Sequence, residues 1–185
     1  EMAEVHRRIN AVDGPAILFE KVKNSPFPAL SNLYGTKQRT AYLFRNQLED
    51  VHRLIELKGD PTQLLQKPGR YLKTGFTALH GLPKKAIITK PILFGQTTLN
   101  QLPQIVCWPL DGGAFITLPQ VMSLPPGDKK LMHSNIGMYR IQISGNDYAP
   151  NVEAGMHYQL HRGIGIHHTL YNQSGEDFKV TIFVG

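Results

Sequence analysis

The sequence predicts an α+β fold, a small N-terminal α/β region followed by a mainly β domain, on three observations. Residues 1–57 carry helix-length apolar periodicity around two short strand-like runs. From about residue 86 the texture changes to short alternating runs separated by turn residues, as in a small barrel or sandwich. Between them, residues 58–85 hold Pro61, Pro68, Gly69, Gly75, Gly81 and Pro83, the composition of a connector. At 185 residues the chain suffices for one ordinary domain or two small ones sharing a core.

In chain order, a helix is expected over the first dozen residues, closed by Asp13-Gly14-Pro15. AILFEKV (16–22) and FPALSNLYG (27–35) read as strands, with Pro26 and Pro28 at the entry of the second, where a missing N–H does least harm. A helical pattern runs from about Thr36 to Leu57 and nominates Leu43, Leu48, Val51, Leu54 and Ile55 for the core. The connector has room for a short helix around Thr62 to Gln66. Six strand-like pieces follow: KAIITK, QIVCWPL, AFITLPQVMS, GMYRIQIS, GMHYQLH and DFKVTIFVG.

Bulk properties exclude more than they assign. A formal charge of +6 suits an anionic ligand, but the basic residues are scattered and form no stripe with aromatics, so nucleic acid has little support. A single cysteine, Cys107, rules out an intramolecular disulfide and fits a reducing, cytoplasmic setting. No apolar run nears the roughly 20 residues of a membrane span. The chain opens inside a helical pattern and stops at a glycine just after a strand, which reads as a piece of a longer protein. No CxxC, HExxH, GxSxG or GxxxxGK pattern occurs.

Residues 139–144 alternate, with Tyr139, Ile141 and Ile143 on one face and Arg140, Gln142 and Ser144 on the other. In GMHYQLH, His157, Gln159 and His161 share a face, and if the two segments neighbour one another in a sheet, arginine and histidines line one cavity. The alternative is a solvated polar face. Asn135, shortly before Gly137, reads as the start of a turn; His167 and His168 read as exposed, and Cys107 and Trp108 as packing. In DGGAFITLP the two glycines allow close backbone approach to a ligand and Thr117 offers a hydroxyl, or the stretch is simply a hairpin turn.

Four stretches, GPAILFEKVKNSPFPALSNLYG, CWPLDGGAFITLPQV, NIGMYRIQ and GMHYQLHRGIGIHH, together with DFKVTIFVG, resemble the UbiD family of reversible decarboxylases that use prenylated FMN. The resemblance implies a flavin reductase-like split barrel over residues 86–185, incomplete at its C-terminal end, after the N-terminal α/β region (1–57) and the connector (58–85). It implies that Asn135 and His161 ligate a divalent metal, Mn2+, against the cofactor phosphate, with K+ as an additional candidate cation. Thr117 and Gly137 would contact the cofactor, and Arg140 would orient the substrate carboxylate, a task suited to a planar guanidinium with two parallel bonds. The family's flavin serves as electron sink. Its third metal ligand and its two catalytic glutamates would follow Gly185, so these 185 residues alone are expected to be inactive.

Two readings of function follow. One is part of a non-oxidative decarboxylase of aromatic or α,β-unsaturated carboxylic acids, with quinone biosynthesis as a candidate setting, homo-oligomeric through the part beyond this chain. The other is a non-catalytic module that binds flavin or a phosphorylated ligand, or mediates assembly.

Overall fold

The computed structural model describes residues 1–83 and 95–184, so the expected strand KAIITK (85–90) lies outside the described residues. Helix α1 (Met2–Ala11) ends as its stop signal demands: Asp13 takes a left-handed φ of 53°, and the Gly14 amide reaches back to the Ile9 carbonyl at 2.8 Å. A Cβ on Gly14 would press into Ile9, which leaves glycine the residue that fits. Strands β1 (Ile17–Phe19) and β2 (Ala29–Ser31) then pair antiparallel.

The Thr36–Leu57 helical pattern resolves into two helices, α2 (Lys37–Leu43) and α3 (Leu48–Gly59). Thr36 caps the first, its hydroxyl accepting the Arg39 amide at 3.1 Å. Neither helix buries a residue, and the nominated core positions Leu43, Val51 and Ile55 are exposed. Periodicity identifies an apolar face; it does not supply the surface that covers it. The connector is largely helical, with α4 (Gln63–Gln66), α5 (Pro68–Tyr71) and α6 (Thr74–His80). Buried Tyr71 ties it back to α3 by donating its hydroxyl to Glu56 at 2.9 Å.

Among the described residues, the second half forms two antiparallel three-stranded sheets. Naming strands in chain order, β3 (Phe115–Ile116), β6 (Arg140–Gln142) and β7 (Gly155–His157) form one, with β6 central. Strands β5 (Asn135–Met138), β4 (Gln120–Ser123) and β8 (Val180–Phe183) form the other, with β4 central. The chain changes sheets three times, through residues 117–119, at Tyr139, and from β7 to β8 by way of residues 158–179; the first two changes break two expected continuous strands, AFITLPQVMS and GMYRIQIS, each at a corner. The core gathers Ile141 of β6 with Ala114 and Ile143, which flank β3 and β6, Val121 of β4, and Ile164 of helix α7 (Gly163–Ser174). Among the described residues no closed barrel forms.

Other expectations need correction. QIVCWPL is not a strand; its one ladder-like bond runs from the Phe115 amide to the Ile105 carbonyl at 2.9 Å. Trp108 is not core packing but exposed, with the Arg7 guanidinium 5.6 Å from its ring centre. GMHYQLH stays extended only to His157, and residues 163–174 are helix. Ile164, His167, His168 and Tyr171 follow helical spacing, and Gly175 closes the helix at φ 73°. The glycines at 163 and 165 disguise this pattern. They stand in the helix because a Cβ on Gly163 would strike the Asn135 side chain, and one on Gly165 the Leu160 backbone.

Candidate functional site

Arg140 opens β6, directly opposite His157 of β7. Its guanidinium is held from two sides. Nη1 and Nη2 donate to the two carboxylate oxygens of Asp111 at 3.1 and 2.7 Å, a forked grip, and the plane sits 3.8 Å from the centre of the Phe115 ring. His157 meets the same ring edge-on at 5.2 Å. Asp111 is held as well: its carboxylate accepts the Trp108 amide at 3.1 Å, and its own amide bonds the Trp108 carbonyl at 3.1 Å. Hydrogen bonding to Arg140 is the main reason the Asp111 carboxyl sits below its ordinary pKa.

Without the downstream glutamates, Arg140 is expected from sequence to be exposed or loosely paired; the structure corrects this, since Asp111 takes their place and Arg140 is half-buried and firmly paired. Asp111 was missed by sequence reasoning. The available signal was an acidic residue at the Gly-rich turn leading into the strand that pairs with the arginine strand.

The glycines of that turn serve the protein backbone. A Cβ on Gly113 would collide with the Ser144 carbonyl, and one on Gly145, at φ 84°, with the Gly112 carbonyl. The two loops thus lie backbone against backbone, joined by the Ala114 amide to the Ser144 hydroxyl at 3.2 Å and the Ile143 amide to the Ala114 carbonyl at 2.9 Å, while Gln142 shapes the second loop from within. Fully buried, Gln142 donates to the Ser144 carbonyl and accepts from Asn146, both at 3.1 Å. This contact, rather than close approach to a ligand, accounts for the glycines.

Asn135 begins β5, in the other sheet, paired with Ser123 in register. Its Nδ2 donates to the Tyr139 hydroxyl at 3.3 Å, and its Oδ1 points toward Gly163, two residues beyond His161. His161 is exposed in the turn between β7 and α7, not on a strand face. The two expected ligands thus come from adjoining segments. Gly137 pairs with Val121, and the space where its Cβ would be holds the Tyr139 ring. Thr117 is exposed just after β3; since Ile116 pairs with Ile141, Thr117 and Arg140 mark the same end of their sheet. The Arg140 and Asn135 groups stand on different sheets, separated by the corner at Tyr139.

An amide oxygen and an imidazole suit a hard or borderline divalent cation such as Mn2+. Two donors do not complete a coordination sphere, and the described residues contain no cluster of three or more His, Cys, Asp or Glu that could hold a metal. The donor types fit such a metal, and the rest of its coordination sphere would have to come from groups outside this pair.

His167 and His168 are not exposed. His167 is buried on α7 with Nδ1 2.9 Å from the Ser123 hydroxyl, and burial pushes its pKa down. His168 stacks on Phe178 at 5.1 Å and hydrogen-bonds the Tyr158 hydroxyl. His167 pins α7 to β4, His168 pins it to the segments flanking β7 and β8, and α7 in turn sets Gly163 against Asn135. No helix among the described residues is long and apolar enough to cross a membrane.

Comparison with known proteins agrees with this architecture. The profile described as the 3-octaprenyl-4-hydroxybenzoate carboxy-lyase Rift-related domain (UbiD) matches residues 84–185, and that of the corresponding N-terminal domain (UbiD_N) matches residues 1–58. An uncharacterised protein of Chlamydia trachomatis is 37% identical over 188 residues, covering 100% of this chain and 31% of the relative. A 4-hydroxybenzoate decarboxylase component from Chlamydia pneumoniae is 36% identical, with 100% and 30% covered. The chain thus spans about a third of the length of the curated relatives it matches. Among solved structures, the vanillic acid decarboxylase of Sedimentibacter hydroxybenzoicus in its open form has the same fold, with a TM-score of 0.61 at 18% identity, covering 100% of this chain and 36% of that one.

Proposed function

The chain belongs to the UbiD family of carboxy-lyases, and from that premise we propose that it is part of a non-oxidative, reversible decarboxylase of aromatic or α,β-unsaturated carboxylic acids. Arg140 holds the substrate carboxylate. The supporting observation is its guanidinium: half-buried, stacked on Phe115 and already forked onto a carboxylate. A surface arginine spends its fork on water; one with a ring beneath it and restricted solvent is prepared for a planar anion.

In this reading prenylated FMN, when bound, supplies the electron sink that lets carbon dioxide leave. Asn135 and His161 would hold Mn2+ at the cofactor phosphate, with K+ as a further cation, and Gly137 and Thr117 would contact the cofactor. Arg140 orients the carboxylate so that the breaking bond keeps one geometry, and Phe115 with the 107–111 loop limits water around the guanidinium. Residues 1–57 and 86–185 are the two structural units, joined by 58–85, within a cytoplasmic homo-oligomer. Quinone biosynthesis is one setting for such chemistry.

The test is Arg140→Ala and Arg140→Lys in the full-length enzyme. Alanine should abolish most carbon dioxide release while leaving the folded protein and its flavin absorption intact. Lysine should rescue poorly, because a point charge cannot reproduce a two-bond grip. Unimpaired decarboxylation by the alanine variant would overturn the assignment.

A further inference from the structure

We propose that Asp111 is an internal carboxylate that occupies the Arg140 fork and must be displaced by the substrate's carboxylate, which makes Asp111 a residue that sets how tightly carboxylates bind at Arg140. The inference rests on the decarboxylase reading for the identity of the incoming ligand, and on geometry for the rest.

A guanidinium offers its terminal edge, Nη1 with Nη2, to one carboxylate at a time. In this structure Asp111 has that edge, at 3.1 and 2.7 Å. Its occupation is built in. The Asp111 side chain is only 11% exposed, and the turn from Trp108 to Asp111 is closed by reciprocal bonds between those two residues. The turn is anchored at its other end by α1, where Arg7 Nη1 donates to the Cys107 carbonyl at 2.7 Å, across 100 residues of sequence. The acid stays ionised because Arg140 holds its carboxyl below the usual range.

A resident carboxylate does two things to an incoming one. It fills the donors that the newcomer needs, and it cancels the positive charge that would attract it. Apparent affinity falls by the fraction of molecules whose fork is free. The penalty is common to every carboxylate, and small anions, with nothing else to bind through, are left with the weakest binding. A carboxylate attached to an apolar body can offset the exchange through contacts elsewhere, and is admitted.

The experiment measures equilibrium binding by calorimetry to the full-length protein, with benzoate and acetate as probes. Asp111→Asn keeps the shape and an acceptor for the Trp108 amide but weakens the fork and removes the negative charge. It should bind both probes about tenfold more tightly than wild type, on the scale of lifting a fractional-occupancy penalty. Asp111→Ser, a smaller residue that also keeps an acceptor, gives a second background in case the first fails to fold. Arg140→Ala and the Asp111→Asn/Arg140→Ala double variant should show no such gain. Equal or weaker benzoate binding by the folded Asp111 variants overturns the proposal and leaves Asp111 as a support for Arg140. A gain that survives in the double variant also overturns it, since the effect then does not run through Arg140. The two readings fail separately. Arg140-dependent tightening in a protein that releases no carbon dioxide from aryl carboxylates rejects the decarboxylase and keeps the exchange. Arg140-dependent turnover with unchanged benzoate binding in Asp111→Asn does the reverse.

Discussion

Replacing Gly165 by alanine should destabilise the protein even though alanine is the better helix former. Within a helix the exchange gains up to about 1 kcal/mol from backbone entropy alone. At Gly165 the new Cβ would sit 2.6 Å from the carbonyl carbon and 2.7 Å from the Cα of Leu160, where ordinary contact begins at 3.4 Å. Leu160 offers backbone there, its carbonyl oxygen closest of all, not the end of a flexible side chain, so the turn and the helix must part by roughly an ångström or more. Forced overpacking of this kind costs about 1–3 kcal/mol and sometimes more. Because this junction also fixes α7 through buried Ile164, a net loss of about 2 kcal/mol is expected, or roughly 4–8 °C in melting temperature for a chain of this size. Gly75 provides the control. It lies in α6 with nothing within 4 Å of its added Cβ, so Gly75→Ala should hold or raise the melting temperature, by up to about 3 °C. Thermal melts followed by circular dichroism measure both. A Gly165→Ala protein that melts at or above wild type would refute the close approach of α7 to the 158–162 turn.

Two further outcomes test the groups around α7. Because burial lowers the pKa of His167, the unfolded chain binds its proton more readily than the folded one; the contribution is fully present above the ordinary histidine pKa of about 6.5 and is lost as pH falls from there toward the folded value. Melting temperature should therefore drop more steeply between about pH 7 and pH 5 in wild type than in His167→Gln, and parallel profiles would contradict a neutral buried imidazole. In the full-length enzyme, His161→Ala should purify with less flavin, read from its visible absorption band, because loss of a metal ligand also unseats the link to the cofactor phosphate; full retention would count against its role as a ligand.

Wherever a structural decision is local, the sequence alone determined it. The stop of α1 at Asp13-Gly14-Pro15 depends on one left-handed residue and one back-turned amide, and Thr36 caps α2 with its own hydroxyl. The alternation of residues 139–143 placed Ile141 and Ile143 in the core and Arg140 on the opposite face, because strand geometry changes sides at every residue. The family motifs were legible for the same reason, being short and contiguous.

Tertiary structure decided whatever depends on what meets what. Arg140 could be assigned a face but not a partner, since Asp111 stands 29 residues away and arrives through a turn closed on Trp108. Helix α7 was hidden by glycines that only Asn135 and Leu160, packed against it, explain. Two sheet-switching corners turned apparent long strands into the short strands of two sheets, and the apolar faces of α2 and α3 lay open because periodicity selects a face without supplying its cover. Each of these turns on a steric or electrostatic pairing between distant segments, which no local pattern encodes.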